Sequence, residues 1–125
     1  MKREINRLGL VEDLLKISKP LHKIVAQLAT LSWDYEGDCV TLKRTHVFSV
    51  LERYRLNQLS AQEVEYWANQ IESREDIVFE EAWEQEIGDV IYQLANPELT
   101  RHLNQEQSKL MLAELRKDDR LRLVL

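Results

Sequence analysis

Apolar residues recur three and four positions apart along almost the whole chain, and only two prolines and three glycines interrupt them. Such spacing lays one apolar stripe along each of a series of helices, and it excludes a core built from alternating strands. The first stripe is Ile5, Leu8, Val11, Leu14 and Leu15; the second is Leu21, Ile24, Val25, Leu28 and Leu31. Between them stands Ser18-Lys19-Pro20. Proline has no N–H to donate and its ring clashes with the preceding turn, so the pattern predicts two helices, or one broken at Pro20.

The period is lost over Ser32-Trp33-Asp34-Tyr35-Glu36-Gly37-Asp38-Cys39-Val40-Thr41, where aromatic and β-branched residues surround a glycine. A short hairpin or an ordered loop is expected near 32–42. A third helix is predicted over 43–56, with Val47, Val50, Leu51 and Tyr54 on one face. Ser60-Ala61-Gln62-Glu63 then reads as a capping box, which starts a fourth helix carrying Val64, Trp67, Ala68 and Ile71 inward and fraying near Ser73. A fifth is expected to begin within 79–81 and to end at Asn96, because Pro97 disfavours helical geometry in the residue before it. Its stripe is Trp83, Ile87, Val90, Ile91 and Leu94. Asn104 to Gln107 repeats the capping pattern ahead of Leu110, Met111, Leu112 and Leu115, a last helix expected to close near Asp118. The final residues, Arg120-Leu121-Arg122-Leu123-Val124-Leu125, alternate like an exposed or edge strand.

A chain of 125 residues, 44% hydrophobic, has enough apolar material for one core. The expected architecture is therefore all-α, a single domain over 1–125 built as an irregular bundle of five or six helices. Trp67 and Trp83 fall on stripes and are expected inside. Trp33 falls outside any periodic segment, where it would anchor a loop or an interface.

Several function classes find no support. No apolar run approaches the roughly 18 residues needed to span a bilayer, and Glu12 and Asp13 interrupt the first helix, so neither a membrane span nor a signal-peptide core is expected. Cys39 is the sole cysteine, which rules out an intrachain disulfide and a Cys-x-x-Cys site and suits the cytoplasm; a small, partly buried side chain is expected. His22, His46 and His102 lie on three different elements without metal-helix spacing and are expected at the surface or its boundary. There is no glycine-rich phosphate loop and no Gly-x-Ser-x-Gly elbow. Nucleic acid is not an expected partner either, since the net charge is −5 and only Lys43-Arg44 and Arg53-Tyr54-Arg55 group basic residues near an aromatic ring.

Charge is unevenly distributed. Residues 1–59 carry ten basic and seven acidic groups, for +3; residues 60–100 carry eleven acidic groups against Arg74 alone, for −10; residues 101–125 return to +2, with six basic and four acidic. Glu72, Glu75, Asp76, Glu80, Glu81 and Glu84 cluster at the junction of the fourth and fifth helices. Some of them complement the positive end of the fifth helix, at about 0.3–1 kcal/mol each. Ordinary surface helices mix signs, however, and a concentrated field of one sign speeds and selects association with an oppositely charged partner.

In size, acidity and helix content the chain resembles the small immunity proteins that block bacterial nuclease toxins. That resemblance implies a non-enzymatic inhibitor, with Glu72, Glu75, Asp76, Glu80, Glu81 and Glu84 as the surface that meets a basic protein partner. Val64-Glu65-Tyr66-Trp67-Ala68-Asn69 and Leu94-Ala95-Asn96-Pro97 are similar to segments of short bacterial proteins that bring no activity with them. Glu86-Ile87-Gly88-Asp89-Val90-Ile91-Tyr92-Gln93-Leu94 is similar to the second half of the signature of MazG-type nucleotide pyrophosphatases, Glu-x-x-Glu followed after a spacer by Glu-x-x-Asp. On one helix Glu86 and Asp89 lie about 60° apart, close enough to share a hard cation. The alternative this resemblance implies is a Mg²⁺-dependent nucleoside triphosphate pyrophosphohydrolase with Glu72, Glu75, Glu86 and Asp89 as metal ligands. Its first pair falls only ten residues before the second, where the fourth helix is ending. Self-association through Leu121, Leu123 and Leu125 is a third expectation.

Overall fold

Six α-helices and one two-stranded parallel sheet make up the computed structural model, which describes the backbone of residues 2–31 and 38–124 and the side chains of residues 7–31 and 38–116. In chain order these are α1 (Lys2–Lys16), α2 (Leu21–Leu28), β1 (Val40–Leu42), α3 (Arg44–Arg55), α4 (Ala61–Glu72), β2 (Ile77–Phe79), α5 (Glu84–Ala95) and α6 (Gln105–Val124), with a single 3₁₀ turn, Glu81–Trp83, leading into α5. The all-helical bundle read from the sequence is what forms.

Pro20 separates α1 from α2, as its chemistry requires. The end of α1 is unusual, because the residue that turns left-handed there is Ile17, at φ 46°. The Ser18 N–H bonds to the Asp13 carbonyl and the Ile17 N–H to the Leu14 carbonyl, which is a Schellman motif with a β-branched residue where glycine is usual. Two distant side chains hold it in place. Arg53 of α3 donates to the carbonyls of Lys16 and Ile17 at 3.0 and 3.1 Å, and the buried indole N–H of Trp67 donates to the Leu14 carbonyl at 2.8 Å. Asn57 repeats the motif after α3 at φ 63°.

At the start of α4 both halves of the predicted capping box form, the Glu63 N–H donating to Ser60 Oγ and the Ser60 N–H to Glu63 Oε1. Asn104 accepts from the Gln107 N–H at 2.7 Å and starts α6. The predicted stripes of α3, α4 and α5 are buried except for Tyr54, which is half-buried against the core, and Trp67 and Trp83 are inside. One apolar cluster takes residues from every helix, with α4 against α5 as its most extensive helix pair.

Several expectations need correction. Val40–Leu42 does not pair locally in a hairpin but runs parallel to Ile77–Phe79, Val40 opposite Ile77 and Leu42 opposite Phe79, with α3 and α4 as the crossover that a parallel pair requires. Residues 32–37, with Trp33, lie outside the described residues. Phe79 closes β2 and does not start a helix; α5 begins only after the 3₁₀ turn. The C-terminal tail is helical to Val124, neither stopping near Asp118 nor forming a strand. Leu and Arg are good helix formers and no Gly or Pro intervenes, so propensity prevails over the alternating pattern. Cys39 is exposed, with Sγ 3.8 Å from the Glu75 carbonyl, and Leu110, read as part of the α6 stripe, is 51% exposed.

Candidate functional site

The acidic segment folds around one buried carboxylate. After α4 ends at Ser73, Arg74 folds back so that its Nε and Nη2 donate to the two oxygens of Asp76, at 2.8 and 2.9 Å. From α1, Arg7 Nη1 reaches the same carboxylate at 2.9 Å. Asp76 is only 2% exposed. Burial pushes its carboxyl up, and the guanidiniums of Arg74 and Arg7 more than reverse that, holding it below the ordinary carboxylate range. The ion cluster fixes the entry to β2 against α1.

Glu80 is also used within the fold. Its Oε1 accepts from the Arg44 backbone N–H at 2.8 Å, one of the N–H groups that a helix leaves without an intrahelical partner, and its charge complements the positive end of α3. The Arg44 guanidinium lies 4.3 Å from the Trp83 ring centroid and donates to the Leu115 carbonyl of α6. Asp76, buried, and Glu80, half-buried, are thus bonded within the framework, and the structure does not place these two with the exposed carboxylates of the cluster.

The other four carboxylates of that cluster, Glu72, Glu75, Glu81 and Glu84, are exposed. Glu72 lies at the end of α4, 3.4 Å from the Asn96 side-chain amide at the end of α5. Exposed alongside them on the same segment are Tyr66 (41%) on α4, Val78 (45%) in β2 and Tyr92 (47%) on α5. Sequence reasoning did not single these out; the available signal was that each lies off its element's inward set. Large apolar or aromatic groups among exposed charges are characteristic of protein-binding surfaces.

The pyrophosphatase signature is not brought together. Glu86 lies ten residues before Asn96 on α5, about 15 Å along a helix, and Glu72 sits at Asn96, so Glu72 and Glu86 cannot share one cation. Glu75 is on the loop after α4. Among the described residues no group of three or more His, Cys, Asp or Glu side chains is placed to hold a metal ion. Glu86 and Asp89 instead face α6 across a shallow cleft of about 300 Å³, with Glu114 opposite and Val90, Leu110 and Met111 supplying apolar walls. Across it Gln107 Nε2 donates to Gln93 Oε1 at 3.2 Å.

Of the histidines, His46 has a defined role. Its Nδ1 accepts from the Lys43 N–H at 2.9 Å and caps α3. Burial lowers its pKa, which favours the neutral ring that this bond requires. No described helix is long and apolar enough to cross a membrane. Comparison of the chain with protein-family models, curated proteins and solved structures finds no match in any of the three.

Proposed function

We propose that this chain is a non-enzymatic protein-binding module, an immunity- or antitoxin-type inhibitor acting in the cytoplasm, whose acidic surface meets a basic protein such as a nuclease toxin. The observation that carries this reading is the sorting of charge around Asp76. Arg74, the only base in residues 60–100, is turned inward onto that carboxylate together with Arg7, while Glu72, Glu75, Glu81 and Glu84 stay on the surface. A field of one sign is thereby left facing water, where it steers a cationic partner. Tyr66 and Tyr92 would supply the aromatic anchors that carry much of the binding energy at such interfaces.

The test is a quadruple reversal, Glu72→Lys, Glu75→Lys, Glu81→Lys and Glu84→Lys, assayed by calorimetry against positively charged nuclease domains. Helix content and melting should stay near those of the parent, because these side chains are exposed, while affinity falls at least about 100-fold. Undiminished binding by the reversed protein would exclude the acidic surface as the binding site.

A further inference from the structure

The parallel register divides the backbone groups of β2 between two edges. The Val40 N–H donates to the Asp76 carbonyl and the Glu80 N–H to the Leu42 carbonyl. With Val40 opposite Ile77 and Leu42 opposite Phe79, the ladder to β1 uses the groups of Asp76, Val78 and Glu80. Peptide groups alternate in direction along a strand, so the N–H and C=O of Ile77 and Phe79 point to the other edge. Among the described residues no hydrogen bond reaches those four groups. Backbone groups go without a partner almost only where water can replace it; the Ile77 side chain is in the core and Phe79 is half-buried against it, so a ligand here would meet the main chain of these residues and not their side chains. Val78 beside this edge is 45% exposed, and Glu75 and Glu81, both exposed, stand at its two ends.

A free strand edge is a template for another extended chain, which gains main-chain hydrogen bonds from it and selectivity from the flanking side chains. Glutamates at both ends disfavour a second copy of this chain, whose own β2 would bring the same charges, and favour a segment bearing lysine or arginine. We infer that the outer edge of β2 docks an extended, basic segment of the partner protein as a third strand beside Ile77–Phe79. The inference rests on the acidic-surface reading above and adds the mode of binding to it.

The probe is a synthetic peptide of alternating lysine and valine, added at low salt to the uniformly ¹⁵N-labelled protein, with amide hydrogen exchange read residue by residue. The expected result is that exchange at Ile77 and Phe79 slows at least about tenfold, while Val78 and Glu80, already in the ladder, change little. A peptide of the same charge with a central proline should bind without that protection. Binding without protection of Ile77 and Phe79, or no binding of the alternating peptide, would overturn the inference. If the quadruple reversal still abolished nuclease binding in either case, the failure would lie with the strand edge and not with the acidic surface.

Discussion

Arg74 holds both oxygens of Asp76, two residues along its own chain, at 2.8 and 2.9 Å. That short clamp, joined by Arg7 from α1, decides which carboxylates of the segment belong to the framework and which face outward. Removing one partner from a buried ion cluster leaves the others uncompensated, so Asp76→Asn should cost about 3–5 kcal/mol in urea unfolding. The carboxyl titrates below its ordinary 3.8 in the folded protein. Its stabilising contribution is therefore complete above that value and is lost as pH falls through the folded one. The variant should lack this part of the acid-unfolding profile.

His46 also contributes stability that is lost on the acid side, by the same linkage. Its folded pKa lies below the ordinary 6.5 because burial disfavours the charged ring, and the ring must be neutral at Nδ1 to accept from Lys43. The unfolded chain takes up the proton first as pH falls, so stability present above about 6.5 should decline below it. His46→Gln, which keeps an acceptor and cannot titrate, should flatten that decline in melting temperatures measured across the range.

Trp67 is fully buried and donates to the Leu14 carbonyl at the end of α1. Replacing it with Phe removes the shorter of that carbonyl's two hydrogen bonds, leaving only the Ile17 N–H at 3.3 Å, and opens a void where the second ring was. The expected cost is about 2–4 kcal/mol by chemical denaturation.

Ile17 and Asn57 share a left-handed backbone, with opposite consequences for a glycine substitution. A left-handed residue with a Cβ costs roughly 1–2 kcal/mol, which glycine relieves. Ile17 is 6% exposed, however, and its side chain contributes about 1.5–3 kcal/mol of burial. Ile17→Gly should therefore lower stability, whereas Asn57→Gly should leave it unchanged or slightly higher. Comparison of the two variants by thermal unfolding checks the sign of each.

Much of the helical framework was legible because its signals are local. Pro20, the Ser60–Glu63 box and the stripe from Trp83 to Leu94 each act through neighbours within a turn or two, and each forms as read. The parallel sheet was not legible: its strands are three residues long, too short to show alternation, and their partners are separated by two helices. The roles of Asp76 and Glu80 were hidden for a related reason. Both are ordinary acidic residues in an acidic run, and only the folded chain brings Arg7 of α1 and the start of α3 to them. Sequence separated the charges by segment; the fold separated them by depth. The exposed Glu72, Glu75, Glu81 and Glu84 remain where the sequence reading put its partner-facing surface.

The most direct test of the claim that this surface recognises a basic protein is the salt dependence of binding. Affinity of the unmodified protein for a positively charged nuclease domain would be measured by calorimetry from about 20 to about 300 mM salt, beside a control in which Asn57→Gly leaves the surface charge unchanged. Exposed charges are screened over about 8 Å at physiological ionic strength, so the account predicts an affinity that falls steeply and equally for both proteins as salt rises. Tight binding that is indifferent to salt would contradict it.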